Sequence, residues 1–198
     1  MRVLHVCTEI YPALKTGGLA DVTSALPRAM SRLGCDVRML VPGFPSFHEN
    51  LTEQKLVFEF PARFGAYAIR LFLGTLPDSG LKAYFIDAPG LFDRPGNPYT
   101  NAAHQDYFDN YRRFALLCWM AARIAEEIDS SWTPDVVHAH DWHAGLVPAY
   151  LKASEFWNKR KLAGSIFTVH NLAYQGNFPG SVFGEIDLPP HFFWSGWC

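Results

Sequence analysis

Apolar and polar positions follow two rhythms along this chain. Val3-Leu4-His5-Val6-Cys7 is a short apolar run, rich in β-branched residues and of strand length. From Leu19 the period changes: Leu19, Val22, Leu26, Ala29, Met30 and Leu33 recur every three or four residues, the spacing of one helical face. Gly34 fits the end of that helix, and residues 36–41 read as a second strand before Pro42. Pro27 falls inside the helical pattern, where it costs about 3 kcal/mol, so a kink or a late helix start is expected. Gly43-Phe44-Pro45 opens a loop.

Three strand-like runs follow at 55–60, 67–73 and 81–86, separated by Gly, Pro and Asp turns; they read as a hairpin-rich excursion from the sheet. Residues 87–104 are rich in Pro and Gly and show no period, as functional loops often do. The clearest helix spans 106–128, with Tyr107, Tyr111, Phe114, Ala115, Cys118, Ala121, Ala122 and Ala125 on one broad face, a core stripe on general burial preferences. Pro134 starts a strand over 135–140, a helix runs through Leu151, residues 165–170 form another short strand, and 171–180 are a polar loop. Alternating strands and helices predict a mostly parallel sheet, with residues 1–198 as a single α/β domain.

Composition narrows the function. The 198 residues are 49% hydrophobic and 18% charged, with a formal net charge of −2, so the excess of cations that nonspecific nucleic-acid binding needs is absent. No apolar stretch approaches the ~20 residues of a membrane-spanning helix. Met1 leads directly into the first strand, and Cys7, Cys35, Cys118 and Cys198 lack C-x-x-C spacing. A cytoplasmic protein with free thiols is expected.

The chemistry gathers at three strand ends: Lys15 to Asp21, Asp141-Trp142-His143, and His170-Asn171. Ligands of parallel α/β sheets collect at the carboxyl ends of strands. At the first, Gly17-Gly18 lets backbone approach a ligand closely, the helix start offers free amides, and Lys15 adds charge, which suits an anion and above all a diphosphate. The spacing matches neither G-x-G-x-x-G nor a P-loop. Asp21, in the first turns of the helix, also complements its dipole. His138, His140 and His143 form H-x-H-x-x-H, which resembles a metal-ligand spacing. Asp141, however, follows the second His directly, one place earlier than in metallo-β-lactamase-like hydrolases, and His138 is expected to be the more buried of the strand pair. No metal and no cofactor is expected.

Taken together, Lys15-Thr16-Gly17-Gly18-Leu19-Ala20-Asp21-Val22 resembles the K-T-G-G-L-A-D-V signature of bacterial glycogen synthases and plant starch synthases. The segments from Val6 to Pro12, Leu91 to Tyr99, His138 to Leu146 (H-A-H-D-W-H-A-G-L) and Thr168 to Gly176 (T-V-H-N-L-A-Y-Q-G) are similar to the same family. The likeness runs to about Leu188, is loose over 46–84, and is lost from Pro190 to Cys198. It implies a Rossmann-like, mostly parallel sheet with flanking helices, the N-terminal half of a GT-B glycosyltransferase. That would be an acceptor-side domain, a fragment without the family's C-terminal nucleotide-binding domain.

The implied activity is retaining transfer of glucose from ADP-glucose to an α-1,4-glucan such as glycogen, with the fragment alone inactive. The likeness implies catalytic roles for His170, Asp141 and Asp21. It implies substrate binding by Lys15, Gly17, Gly18, Asn171, Glu9, Tyr99 and Trp142, with Tyr99 as an aromatic platform for the glucan. Two alternatives stay open. A non-catalytic glycan-binding module would stack sugars on Tyr99 and Trp142, and a metal-dependent hydrolase would use His138, His140 and His143.

Overall fold

The computed structural model describes residues 1–194. One seven-stranded sheet runs in the order β3-β4-β5-β2-β1-β6-β7. β1 (Arg2–Val6), β2 (Asp36–Pro42), β5 (Lys82–Asp87), β6 (Val136–His140) and β7 (Gly164–Thr168) are mutually parallel. β3 (Thr52–Phe60) and β4 (Ile69–Thr75) form an antiparallel hairpin, and β4 pairs antiparallel with β5. The expected excursion is therefore not separate from the sheet but is one edge of it. β1 lies between β2 and β6, so successive connections leave it in opposite directions. That crevice is the topological switch point, where open α/β sheets bind ligands.

α1 (Leu19–Arg32) starts at the turn and runs through Pro27, so the late helix start is not found. Leu19, Ala20, Thr23 and Pro27 are its buried residues, which places the proline ring in the core rather than at a helix end. Gly34, at φ +88°, closes the helix as its position predicts. After Gly43-Phe44 the chain forms a short helix, α2 (Pro45–Asn50), with proline in the first turn, where its missing N–H costs nothing.

α3 (Asn110–Ala125) is shorter than its apolar pattern. Residues before it are committed elsewhere: Tyr107 donates its amide to the Tyr99 carbonyl at 3.2 Å, and Asp106 bridges Thr100. Nearly every α3 side chain is buried, against the sheet and against α4 (Val147–Asn158). The strand after Pro134 begins at Val136, and a 3-10 turn at Trp142–Ala144 separates it from α4. β7 ends at Thr168, leaving His170 in the loop beyond, and α5 (His191–Trp194) follows. Cys7, Cys35 and Cys118 are free thiols; Cys198 lies outside the described residues. Among the described residues no helix is long and apolar enough to cross a membrane.

Candidate functional site

The loops that leave β1, β6 and β7 meet at one cleft of about 790 Å³. Its walls include Glu9, Gly17, Gly18, Tyr99, Asp141, Trp142, His170 and Asn171. The fold thus unites eight of the ten expected site residues.

Glu9, just past β1, is 2% exposed and anchors the glycine turn. Its carboxylate accepts the amides of Thr16 (2.6 Å) and Gly17 (3.1 Å), the Thr16 hydroxyl (2.6 Å) and the Tyr99 hydroxyl (2.6 Å). Burial by itself raises this carboxyl, but hydrogen bonds from Thr16, Tyr99 and Gly17 outweigh it and hold the group below the usual carboxylate range. The amide of Gly17, expected to be open to phosphate, is therefore already taken. Gly18 is the N-cap of α1, at φ −70°, with no side chain capping the helix. A Cβ at Gly17 or Gly18 would meet nothing within 4 Å. Neither packing nor the Gly18 backbone angle demands glycine, so the pair keeps the turn surface open.

The two expected residues outside the cleft are Lys15 and Asp21. The Lys15 ammonium donates to both Asp21 carboxylate oxygens, at 2.7 and 2.8 Å, and both side chains are about half exposed. Asp21 points with Arg28 and Arg32 towards the outer side of α1, because helical geometry turns it away from the Gly17-Gly18 face. As the chain stands it is the lysine's counter-ion rather than a wall of the cleft.

Asp141 carries the strongest local signal. It is 7% exposed and adopts φ 63°, ψ 178°, a region essentially reserved for glycine that costs about 1–3 kcal/mol. Its carboxylate accepts the Trp142 amide at 3.0 Å, and its own amide donates to the Thr168 carbonyl at 2.8 Å. The kink sets Asp141 on the cleft wall and turns Trp142 sideways. Trp142 packs edge-on against Phe114 (5.0 Å), and a Cβ on Gly176 would lie 2.1 Å from its ring, so backbone closely covers the indole. A second, more apolar cavity of about 520 Å³ adjoins the cleft across Trp142, lined by Phe114, Phe167, Leu172 and Phe178.

Tyr99 is likewise built into the wall. Its ring stacks on His143 at 5.2 Å, its one proton goes to Glu9, and its oxygen therefore accepts from Thr8 at 2.8 Å. The loop that presents it has little regular structure and is tied by α3. Buried Arg113 donates to the carbonyls of Leu91 (2.8 Å) and Pro98 (3.0 Å), Asn110 to that of Tyr99 (2.9 Å), and Arg94 forks onto Asp109 (2.8 and 2.7 Å). Burial and neighbouring Arg94 push Arg113 down to about 10, leaving it charged at neutral pH.

The histidines divide differently from their spacing. His143 leaves the H-x-H-x-x-H set and packs against Thr8, Tyr99 and Phe114; burial pushes it down to about 4. His140 is fully buried and His138 only partly, the reverse of the expected order, because His140 lies deeper between β1 and the loop after β7. The ring nitrogens that converge are those of His5, His138 and His140, within 4.8 Å of one another. The constellation required for the hydrolase alternative is not assembled. Thr8, His5 and Arg113 could not be found from the sequence, since each is defined by partners elsewhere in the chain, whereas His143 was legible there but as a metal ligand and not as the partner of Thr8 and Tyr99.

A family model described as the starch synthase catalytic domain matches residues 2–196. Glycogen synthases of Francisella philomiragia and of Francisella tularensis subsp. novicida are each 60% identical over 189 residues, 96% of this chain. The chain spans 39% of the length of these curated relatives. A solved structure, the catalytic domain of starch synthase IV from Arabidopsis thaliana bound to ADP and acarbose, is similar with a TM-score of 0.79 and 26% identity. The match covers 95% of this chain and 37% of that one.

Proposed function

This chain belongs to the family of starch synthase catalytic domains, and on that premise we propose that it forms one wall of a retaining glucosyltransferase. Glucose passes from ADP-glucose to the non-reducing end of an α-1,4-glucan. The observation that carries this reading is the single cleft where the glycine turn, Asp141 and His170-Asn171 meet. The Arabidopsis relative bound to ADP and acarbose supports a nucleotide and a glucan-like ligand as partners.

The chemical problem is departure of a diphosphate while positive charge grows on the sugar ring. Glu9 already occupies Gly17, so the diphosphate is met by Gly18, the positive end of α1 and Lys15. Recruiting Lys15 from Asp21 costs little, because a half-exposed ion pair is worth about 0–1 kcal/mol. Asp141, His170 and Asn171 offer acceptors and donors to sugar hydroxyls. Asp21 then balances Lys15 between turnovers. A second wall closing over the cleft excludes water and strengthens each of these contacts. Residues 1–198 alone are expected to bind donor weakly, near millimolar or about −4 kcal/mol, without turnover.

The test grafts residues 1–188 onto the remaining length of the Francisella philomiragia glycogen synthase and follows radiolabel from ADP-glucose into glycogen. Transfer is expected, and Lys15→Gln should lower kcat/KM about ten- to a hundredfold, the value of a charge-assisted phosphate contact. Unchanged kinetics would remove Lys15 from the donor site. Calorimetry that detects maltooligosaccharide binding but no ADP-glucose binding, with a folded but inactive graft, would favour the glycan-binding module.

A further inference from the structure

A line of imidazoles runs from the middle of the sheet to the cleft. His5 Nδ1 lies 2.8 Å from His140 Nε2, and His140 Nδ1 lies 3.0 Å from His170 Nε2. His138 stacks on His140 at 4.1 Å and bonds the Thr168 hydroxyl at 2.8 Å, so it packs the line without joining it. We propose that His5 and His140 form a relay of fixed polarity that holds His170 as its Nδ1–H tautomer, so that the ring presents a hydrogen-bond donor to the cleft.

Each contact in the line holds one proton, and both inner rings are neutral. Burial, with His138 adding, pushes His5 down to about 3, and the same causes push His140 to about 2. A neutral line has two possible polarities, and its closed end decides between them. His5 Nε2 is buried with no partner among the described residues. A proton there would leave an orphaned N–H in the core, which folded proteins tolerate less well than an unsatisfied acceptor. The proton therefore sits on Nδ1 and is donated to His140 Nε2. His140 must then carry its own proton on Nδ1 and donate it to His170 Nε2. His170 is left with its proton on Nδ1, the nitrogen without a partner among the described residues, in a residue that lines the cleft. Polarisation along such a line strengthens each member. That this donor meets a sugar hydroxyl or phosphate oxygen rests on the function proposed above; the tautomer itself does not. His140 is a positioning residue.

The experiment is long-range ¹⁵N–¹H correlation NMR of the labelled 198-residue chain at neutral pH, without substrate. An inactive protein therefore leaves the test intact. His170 is expected to show a protonated Nδ1 and a bare Nε2, the reverse of free histidine. His140→Phe should return His170 towards the Nε2–H form. His140→Asp, an acceptor at the same place, should do so completely. A wild-type His170 protonated on Nε2 overturns the proposal, and this measurement decides even if neither variant folds. Retention of the Nδ1–H form in His140→Phe overturns it as well. Zinc is added last: unchanged His5 and His140 signals are expected, whereas a saturable shift at one equivalent would make His5, His138 and His140 a metal site instead.

Discussion

The carboxylate of Glu9 lies 3.1 Å from the amide nitrogen of Gly17, so a side chain of the protein satisfies the turn that faces the cleft. The same carboxylate ties that turn to the loop of Tyr99, more than eighty residues away in sequence. Glu9 therefore fixes the distance between two cleft walls, and its charge confines any second anion to the Gly18 side.

Removing that charge should loosen both walls. Glu9→Gln is expected to destabilise the chain by about 2 kcal/mol at pH 7, the scale of hydrogen bonds to a charged group. The Glu9 carboxyl is lowered in the folded state, so its contribution is complete above the ordinary glutamate pKa and is lost as pH falls through the lowered value. Urea unfolding at pH 7 and pH 3 should therefore show the variant's deficit shrinking in acid. An equal deficit at both would contradict the ionised strap.

Tyr99 and Glu9 should be energetically coupled. Tyr99→Phe keeps the ring on His143 and deletes only the hydroxyl shared by Glu9 and Thr8. A double-mutant cycle with Glu9→Gln should return a coupling of about 1–2 kcal/mol. In the graft, Tyr99→Ala should then raise the KM for donor as well as for glucan, since Glu9 sits under the glycine turn. A rise for glucan alone would restore Tyr99 as a simple sugar platform.

Asp141 supplies a backbone test. Asp141→Ala keeps the unfavourable φ of 63° and loses the bond to the Trp142 amide, whereas Asp141→Gly loses the bond but relieves the strain. Denaturation should find the alanine variant less stable than the glycine variant by about 1–2 kcal/mol. The opposite order would show that the conformation carries no strain.

Acid should unfold this chain steeply. His5, His140 and His143 are lowered to about 3, 2 and 4, chiefly by burial. Because the unfolded chain binds protons near pH 6.5 and the folded one does not, stability is complete above that pH and falls below it. Three such groups give a slope approaching about 4 kcal/mol per pH unit between pH 6 and 4. Urea midpoints at pH 7.5, 6 and 5 measure it, and a flat profile would mean that these rings are protonated in the fold.

Arg113 can be tested through the loop it holds. Arg113→Lys keeps the charge but cannot reach both carbonyls with one compact head group, and a loss of about 3 kcal/mol is expected. Limited proteolysis should then cut within 87–104 in the variant and spare the parent. Equal resistance would place the restraint elsewhere.

Period and punctuation by themselves determined most of the secondary structure and the parallel core. Alternating apolar runs and three-to-four spacing are local consequences of how side chains project from strand and helix. They also put three motifs at strand ends, which is why Gly18, Asp141, His170 and Asn171 were legible in the sequence. Helix boundaries near Asp106 and Pro27 were not, because contacts outside the helix decide them: Asp106 bridges Thr100 in the preceding loop, and the Pro27 ring is buried. Only the tertiary structure revealed that Lys15 and Asp21 face away together, that Glu9 fills Gly17, and that His143 leaves His138 and His140 for Tyr99. The His5–His140–His170 line joins residues up to 165 positions apart through parallel register between β1 and β6. Linear sequence holds no record of that register, because it is chosen by the packing of the whole sheet.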